Sequence, residues 1–222
     1  MFNQEKKLDS GKVLISLCGK KQTGKSTSFR FIKEIMIDKT VERFSFADKL
    51  KKTTADLFGV DYDCLIGSDE QKDSPTYLEW NDVANHIQSD FYGPEVYTRP
   101  LRTNITHREL LQLVGTNLFR AVRPGIWPEY LKRSLFESNA DILVVDDARF
   151  PNEVEMLRDI GGSLVKIYRN VHSPNSANHK SEIALDHLED SYYDFVITDS
   201  GNRTMDDLKK SWANILGTIF RS

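Results

Sequence analysis

The stretch from residue 19 to residue 26 constrains this chain more than any other part of its sequence. It reads Gly-Lys-Lys-Gln-Thr-Gly-Lys-Ser, which places two glycines, a lysine and a serine at the spacing G-x4-G-K-S of the Walker A motif. Glycines let a backbone turn tightly and point successive N–H groups at one anion. An apolar run at 12–18 precedes the motif and apolar residues at helical spacing follow it. The sequence therefore predicts a strand, a phosphate-binding turn and a helix.

The residue types in this turn predict a site for ATP and Mg²⁺. Gly19 and Gly24 would shape the turn, Lys25 would reach the β- and γ-phosphates, and Ser26 would place its hydroxyl on the metal. The helix that begins near Lys25 adds the positive end of its dipole. Lys25 is accordingly the first candidate catalytic residue.

An acidic pair ends the most apolar strand of the chain. Residues 142–145 are all aliphatic and lead into Asp146 and Asp147, as in a Walker B motif. Such a carboxylate can hold Mg²⁺ or orient the attacking oxygen. Side chains of adjacent strand residues point to opposite faces, so we expect only one of the two to face the site. Our working assignment gives Asp146 to the metal with Ser26 and Asp147 to catalysis, although spacing does not decide between them and Asp146 could instead cap the following turn.

Arg149 is the third candidate catalytic residue. It follows the acidic pair and lies one helical turn before Glu153. An arginine at a catalytic edge suits a phosphate clamp, because its guanidinium binds two phosphate oxygens at once. The alternative is an ordinary surface ion pair.

The order of apolar runs predicts an α/β fold. Helical segments separate five predicted strands, and this alternation is typical of a doubly wound parallel sheet of the P-loop NTPase class, with its ligands at one edge. We expect Asp48 to begin the helix after the second strand, and Thr106 with Glu109 to begin a helix over 106–122. The predicted strands are 12–18, 42–47, 141–147, 163–168 and 194–198.

The chain is expected to form a single P-loop kinase domain over residues 1–222. Within it we predict an acceptor-binding insertion at about 48–130, where the stretch 60–105 is rich in aromatics, prolines and glycines and has no assignable elements. The polar stretch at about 170–188 is predicted to act as a lid over ATP.

Transfer to a second phosphate needs cations for that phosphate and an apolar slot for its base. Lys51 and Arg108 are candidate cations, but each could be an exposed helix residue. Gly115 costs nearly 1 kcal/mol relative to alanine inside a helix, which indicates a close approach to the backbone there. Trp127 could stack on a base or belong to the core.

Several segments, in this order, make the chain resemble the phage-type deoxynucleoside monophosphate kinases. The resemblance covers most of the chain and includes the Walker A turn. The other segments that carry it are Phe46–Lys51, Arg108–Gln112 with Gly115 and Thr116, Trp127, Asp147–Glu153 and His179–Glu182.

The resemblance implies a nucleoside monophosphate kinase fold and transfer of the γ-phosphoryl group of ATP to a deoxynucleoside monophosphate with Mg²⁺. It also implies two sets of binding residues. ATP would be bordered by Gln22, Thr23, Gly24, Lys25, Ser26 and Thr27. The acceptor nucleotide would be bordered by Lys21, Leu50, Lys51, Arg108, Gly115, Thr116, Trp127, Asp147, Arg149 and Glu153.

Two other functions compete with this one. A P-loop kinase of a non-nucleotide phosphate, such as phosphomevalonate, would share the ATP site and differ around residues 60–130. A regulatory nucleotide-binding module would bind without turnover, but the base-reading motif Asn-Lys-x-Asp of GTP-binding switches is missing from the sequence.

Composition limits the partners and the location that we expect. The 222 residues include 30 basic and 33 acidic ones, giving a net charge of −3, so the basic excess typical of nucleic-acid-binding domains is missing. No apolar run approaches the roughly 18–20 residues that cross a bilayer. We therefore expect a cytoplasmic protein, in the host cytoplasm if it is phage-encoded, with no nucleic-acid or membrane partner. The sequence leaves open whether the chain forms a homodimer.

Overall fold

The computed structural model describes residues 7–9, 11–20, 23–84, 103–169, 184–199 and 203–221. The chain divides into two compact units. Met1–Phe46 and Pro128–Ser222 form the first, called here the sheet unit. Ala47–Trp127 form the second, called the inserted unit because it interrupts the first in sequence.

A five-stranded parallel sheet organises the sheet unit. Its order is β2-β5-β1-β6-β7, so β1 lies at the centre with β5 and β6 on either side. In the register of the sheet, Ile15 lies opposite Val144 of β5 and Ser163 of β6. The strands are β1 (Val13–Cys18), β2 (Val41–Phe44), β5 (Ile142–Ala148), β6 (Ser163–Arg169) and β7 (Phe195–Asp199).

The two central strands are almost continuously apolar because helices cover both faces of a parallel sheet. Every residue of β1 from Leu14 to Cys18 is buried, as is every residue of β5 from Ile142 to Asp146. Ile15 and Val144 pack in one core with Ile32 and Trp212. The helices that lie wholly or mostly in this unit are α1 (Lys25–Ile35), α7 (Ile126–Glu137), α8 (Pro151–Asp159) and α9 (Met205–Ile219), with a 3-10 turn at Asp190–Tyr192.

The inserted unit has its own small core. Leu65, Ile105 and Leu110 are fully buried there, and Trp80 and Val114 pack with them. β3 and β4 pair antiparallel. The elements are α2 (Phe46–Phe58), α3 (Tyr62–Ile66), α4 (Asp69–Asp73), β3 (Pro75–Glu79), α5 (Trp80–Ala84), β4 (Asn104–Thr106), α6 (His107–Gln112) and a π-helix (Leu113–Arg120).

The predicted five-stranded parallel sheet is confirmed, with two local corrections. The second strand ends at Phe44 and α2 begins at Phe46, so Asp48 lies in the first turn of that helix and does not begin it. The helix predicted over 106–122 begins with the expected pairing of Thr106 and Glu109 but changes to a π-helix at Leu113.

Two predicted segments fall partly outside the described residues. The structure does not describe residues 85–102 of the aromatic stretch or residues 170–183 of the lid-like segment. That the inserted unit binds an acceptor stays a prediction. Among the described residues, no helix has the length and apolar character needed to cross a membrane.

The central strand gives the first prediction. Replacing Ile15, which is fully buried, by alanine should lower the free energy of unfolding by about 3 kcal/mol, because it leaves a cavity in the core. Ile37→Ala is the matched control, since Ile37 is 81% exposed. Urea denaturation of both variants tests this, and equal small losses would contradict the described core.

Candidate active site

The predicted phosphate turn joins the C-terminal end of β1 to the start of α1. Gly24 immediately precedes α1 with a left-handed backbone, φ 98° and ψ 15°, which glycine adopts without strain. A side chain at Gly19 would have its Cβ 2.5 Å from the carbonyl oxygen of Ile167 and 2.8 Å from Thr23 Oγ1. Both glycines of the motif are therefore required by the backbone itself. Lys21 and Gln22 lie outside the described residues.

Side chains of the turn form hydrogen bonds to the backbone carbonyls at its beginning. Thr23 is buried, and its hydroxyl donates to the carbonyl of Lys20 at 2.9 Å. The ammonium of Lys25 donates to the carbonyl oxygens of Gly19 at 2.6 Å and Lys20 at 2.5 Å. Ser26 is exposed and Thr27 is half-buried on the first turn of α1.

Asp146 is a buried carboxylate at the end of the neighbouring strand β5. It is 3% exposed, and Arg43 on β2 donates from Nε to its Oδ2 at 2.7 Å. Its Oδ1 is buried and has no hydrogen-bond partner among the described residues. Burial raises the pKa of this carboxyl and Asp147 adds to the rise, whereas Arg43 and the ammonium of Lys25 lower it.

Asp147 uses both of its oxygens within the fold. Oδ2 accepts from the Ser45 hydroxyl at 2.5 Å, and Oδ1 accepts from the backbone N–H of Phe46 at 2.8 Å. Phe46 is the first residue of α2, so this carboxylate satisfies a helix-start N–H that has no partner inside the helix. The two adjacent aspartates therefore have different surroundings.

Glu153 is almost fully buried at the start of α8. Its Oε2 accepts from the backbone N–H of Arg149 at 2.7 Å and of Phe150 at 3.1 Å. The carboxylate thus fixes the backbone from which the Arg149 side chain extends.

A cavity of about 320 Å³ adjoins the turn within the sheet unit. Arg149 lines it together with Gly19, Lys20 and Thr23. The sequence did not name the rest of the lining residue by residue: Ala148, Lys166, Ile167, Tyr168, Leu185, Asp186 and Tyr193. The end of β6 lies at the same sheet edge as the turn, so its position could have pointed to Lys166 and Tyr168. Leu185 and Asp186 belong to the segment predicted as a lid, at about 170–188, although the sequence did not single them out, and Asp186 accepts from Lys20 Nζ at 2.8 Å.

The inserted unit brings three of the predicted acceptor residues together. Gly115 is buried in the π-helix, and a Cβ there would lie 2.6 Å from Leu50 Cδ2. The indole N–H of Trp127 donates to the carbonyl oxygen of Gly115 at 3.1 Å. The close approach that the helical glycine predicted is therefore made by a side chain of the protein. Thr116, the next residue, is half-buried.

Trp127 belongs to the core of the inserted unit. It is 5% exposed and its ring meets Phe119 edge-on, with 5.4 Å between the centroids. Of the two alternatives that the sequence left open, the structure supports core packing. Lys51 is 18% exposed and lies 3.7 Å from the Asp48 carboxylate, so it is not part of a fully solvated face.

Arg108 forms two ion pairs in the inserted unit. Its Nε lies 2.5 Å from Asp73 Oδ1, and its Nη2 lies 2.8 Å from Asp69 Oδ1. The side chain is 30% exposed. The sequence gave no indication of these two carboxylates.

Comparison with known families gives one match over about half of the chain. The model of the family described as deoxynucleotide monophosphate kinase matches residues 95–211. This range includes the π-helix, Trp127, the acidic pair and Arg149.

Two curated proteins are similar in sequence. One, from Acanthamoeba polyphaga mimivirus and described as a "Putative deoxynucleotide monophosphate kinase", is 31% identical over 212 residues, which cover 88% of this chain and 91% of that protein. The deoxynucleoside-5'-monophosphate kinase of Escherichia phage T5 is 46% identical over 56 residues, which cover 25% of this chain and 22% of that protein.

Among solved structures, a shikimate kinase from Acinetobacter baumannii in complex with shikimate matches 95% of this chain and 94% of its own. The identity is 11% and the TM-score is 0.46.

The contact between Gly115 and Leu50 gives a second prediction. Gly115→Ala should destabilise the protein by about 2 kcal/mol, because the new methyl group overlaps Leu50. Adding Leu50→Ala should remove most of that penalty in a double-mutant cycle.

Gly217→Ala is the matched control, because Gly217 lies inside α9 and a Cβ there meets nothing within 4 Å. It should be neutral or stabilising by up to about 1 kcal/mol. Chemical denaturation measures Gly115→Ala, Leu50→Ala, their combination and Gly217→Ala, and equal effects of the two glycine substitutions would contradict the described packing.

Proposed function

The chain belongs to the deoxynucleotide monophosphate kinase family, and on that premise we propose that it transfers the γ-phosphoryl group of ATP, bound with Mg²⁺, to the phosphate of a deoxynucleoside monophosphate. Family membership makes the protein a kinase that acts on a nucleotide monophosphate. The identity of the donor, the metal and the role of each residue are the proposed part. Both similar curated proteins are described as deoxynucleotide or deoxynucleoside monophosphate kinases, which favours a nucleotide acceptor over a non-nucleotide phosphate.

One observation carries the proposal for the donor. A left-handed Gly24 opens α1, and the same short turn carries the ammonium of Lys25. The first N–H groups of a helix have no partner inside it and bind phosphate oxygens readily. Charged phosphate oxygens are stronger acceptors than the neutral carbonyls of Gly19 and Lys20 that Lys25 contacts. ATP would therefore lie along Gly19 and Gln22–Thr27.

The residues present also fit Mg²⁺. Oδ1 of Asp146 is a buried carboxylate oxygen with no hydrogen-bond partner among the described residues, and Mg²⁺ prefers oxygen ligands of this kind. Asp146 and the Ser26 hydroxyl would hold the ion. When bound, Mg²⁺ would neutralise part of the charge on the phosphates.

In this scheme Asp147 acts on the fold rather than on the metal. Its oxygens accept from Ser45 and from the N–H of Phe46, so it ties the end of β2 and the start of α2 to β5. The catalytic role that the sequence suggested for Asp147 stays a prediction. Its contacts support the role of a positioning residue.

The transfer itself needs no covalent intermediate. An oxygen of the acceptor phosphate attacks the γ-phosphorus while the bond from that phosphorus to the bridging oxygen breaks, and ADP leaves. Lys25 and Arg149 would neutralise charge on the phosphoryl group that moves. Glu153 contributes by fixing the backbone of Arg149 through a 2.7 Å hydrogen bond.

The acceptor residues are proposed from family resemblance and from their placement. Lys51, Arg108 and Thr116 offer polar groups in the inserted unit, and Leu50, Gly115 and Trp127 support the π-helix that carries Thr116. Lys21 is proposed too, although it lies outside the described residues. Action in the cytoplasm without nucleic acid or membrane stays a prediction.

Lys25→Ala tests the donor site. The variant should stay folded and lose about a hundredfold or more in kcat/KM, because one charge-stabilising donor is gone. A coupled ADP-release assay with the four common deoxynucleoside monophosphates measures this. Lys33→Ala, on the exposed face of the same helix, should retain full activity. Near-normal transfer by folded Lys25→Ala protein would overturn the assignment.

A pair of substitutions separates the roles of the two aspartates. Asp146→Asn should raise the Mg²⁺ concentration needed for half-maximal activity at least about tenfold, because an amide binds the ion less well than a carboxylate. Asp147→Asn should leave that concentration unchanged and lower the free energy of unfolding by about 1 kcal/mol, because it weakens the hydrogen bonds to Ser45 and Phe46. The opposite pattern would assign the metal to Asp147.

A further inference from the structure

Arg108 is held from one side by two carboxylates of a single short helix. Asp73 accepts from its Nε and Asp69 accepts from its Nη2, and both belong to α4. Among the described residues, the hydrogen bonds of the Arg108 side chain come from Nε and Nη2, and Nη1 has no partner. The guanidinium plane is therefore fixed by its Nε–Nη2 side, and its Nη1 end carries unused N–H donors.

Contacts other than the two ion pairs also join the end of α4 to the start of α6. The backbone N–H of His107 donates to the carbonyl of Ser74 at 3.2 Å, and the ring Nδ1 of His107 lies 3.0 Å from the same oxygen. The starts of both helices are fixed by reciprocal side-chain and backbone hydrogen bonds, made by Ser68 with Gln71 and by Thr106 with Glu109.

The ion pairs also add little stability of their own. Asp69 and Asp73 are 44% and 56% exposed, and ion pairs this accessible contribute little to the free energy of unfolding, because solvent screens them. Their effect is to fix the orientation of the Arg108 guanidinium. A free arginine side chain has many rotamers, and fixing them before a ligand arrives reduces the entropy lost on binding.

The Nη1 end of the Arg108 guanidinium, which has no hydrogen-bond partner in the described part of the chain, suits a phosphate group. Paired N–H groups at the Nη1 and Nη2 end match the spacing of two oxygens of one phosphate. A lysine in the same place would offer a point charge without that geometry.

We propose that Asp69 and Asp73 are positioning residues that orient Arg108 to receive the phosphate of the acceptor nucleotide. This inference rests on the proposed function, because it takes a deoxynucleoside monophosphate as the acceptor. Asp69 and Asp73 do not touch the nucleotide themselves. They act through the guanidinium.

The test is steady-state kinetics of the full chain with Asp69→Asn, Asp73→Asn and the double substitution. The double variant should raise KM for the deoxynucleoside monophosphate about tenfold, with kcat and KM for ATP changed less than twofold. Asp73→Glu should restore most of the Asp73→Asn loss, because the longer side chain keeps a carboxylate within reach of Arg108. Asp56→Asn, an exposed aspartate on α2 of the same unit, is the control and should leave KM unchanged.

A second cycle separates positioning from a purely structural role. In an Arg108→Ala background, the two aspartate substitutions should cause no further rise in KM. An additional rise there would overturn the inference, as would an unchanged or lower KM for the double variant, or a loss of unfolding free energy with no change in KM.

Failure of this inference is distinguishable from failure of the proposed function. If the unsubstituted protein phosphorylates no deoxynucleoside monophosphate, the proposed function is wrong. If it does so and Arg108→Ala leaves KM unchanged, the function stands and only the role of Arg108 with its two carboxylates is wrong.

Discussion

The left-handed backbone of Gly24 is the constraint on which the proposed donor site depends. It lets the chain leave β1 and enter α1 within six residues, so that the first N–H groups of the helix and the ammonium of Lys25 belong to one turn. β1 is the central strand of the sheet, and its burial on both sides fixes where that turn lies. In the proposed donor site, phosphate would be bound by backbone N–H groups at the start of α1 together with the ammonium of Lys25.

The end of β5 uses acidic residues for two purposes. Asp146 is buried beside Arg43, and its Oδ1 has no hydrogen-bond partner among the described residues. Asp147 instead accepts from the first N–H of α2. Glu153, farther along, holds the backbone at Arg149. One carboxylate that could serve a metal and two that fix backbone therefore lie within a few residues of one another, which is why sequence spacing alone could not separate their roles.

The sequence predicted the fold best in segments whose structure depends on burial in the core or on a backbone turn that needs glycine. Continuous apolar runs predicted β1 and β5, and the Walker A spacing predicted the turn, because each pattern has few structural solutions. Gly115 signalled a close approach, but the partner, Leu50, is 65 residues away in sequence and the π-helical geometry leaves no mark in residue type. The ion pairs of Arg108 likewise depend on a helix, α4, too short to show a periodic pattern.

The most direct test of the phosphate turn is an amide NMR titration with a non-hydrolysable ATP analogue and Mg²⁺. Binding should produce its largest chemical-shift changes at the backbone amides of Gly24, Lys25 and Ser26, because these N–H groups would point at the phosphates. The changes should weaken when Lys25 is replaced by alanine. If the analogue binds while these three amides stay unchanged, phosphate is held elsewhere and the account of this turn is wrong.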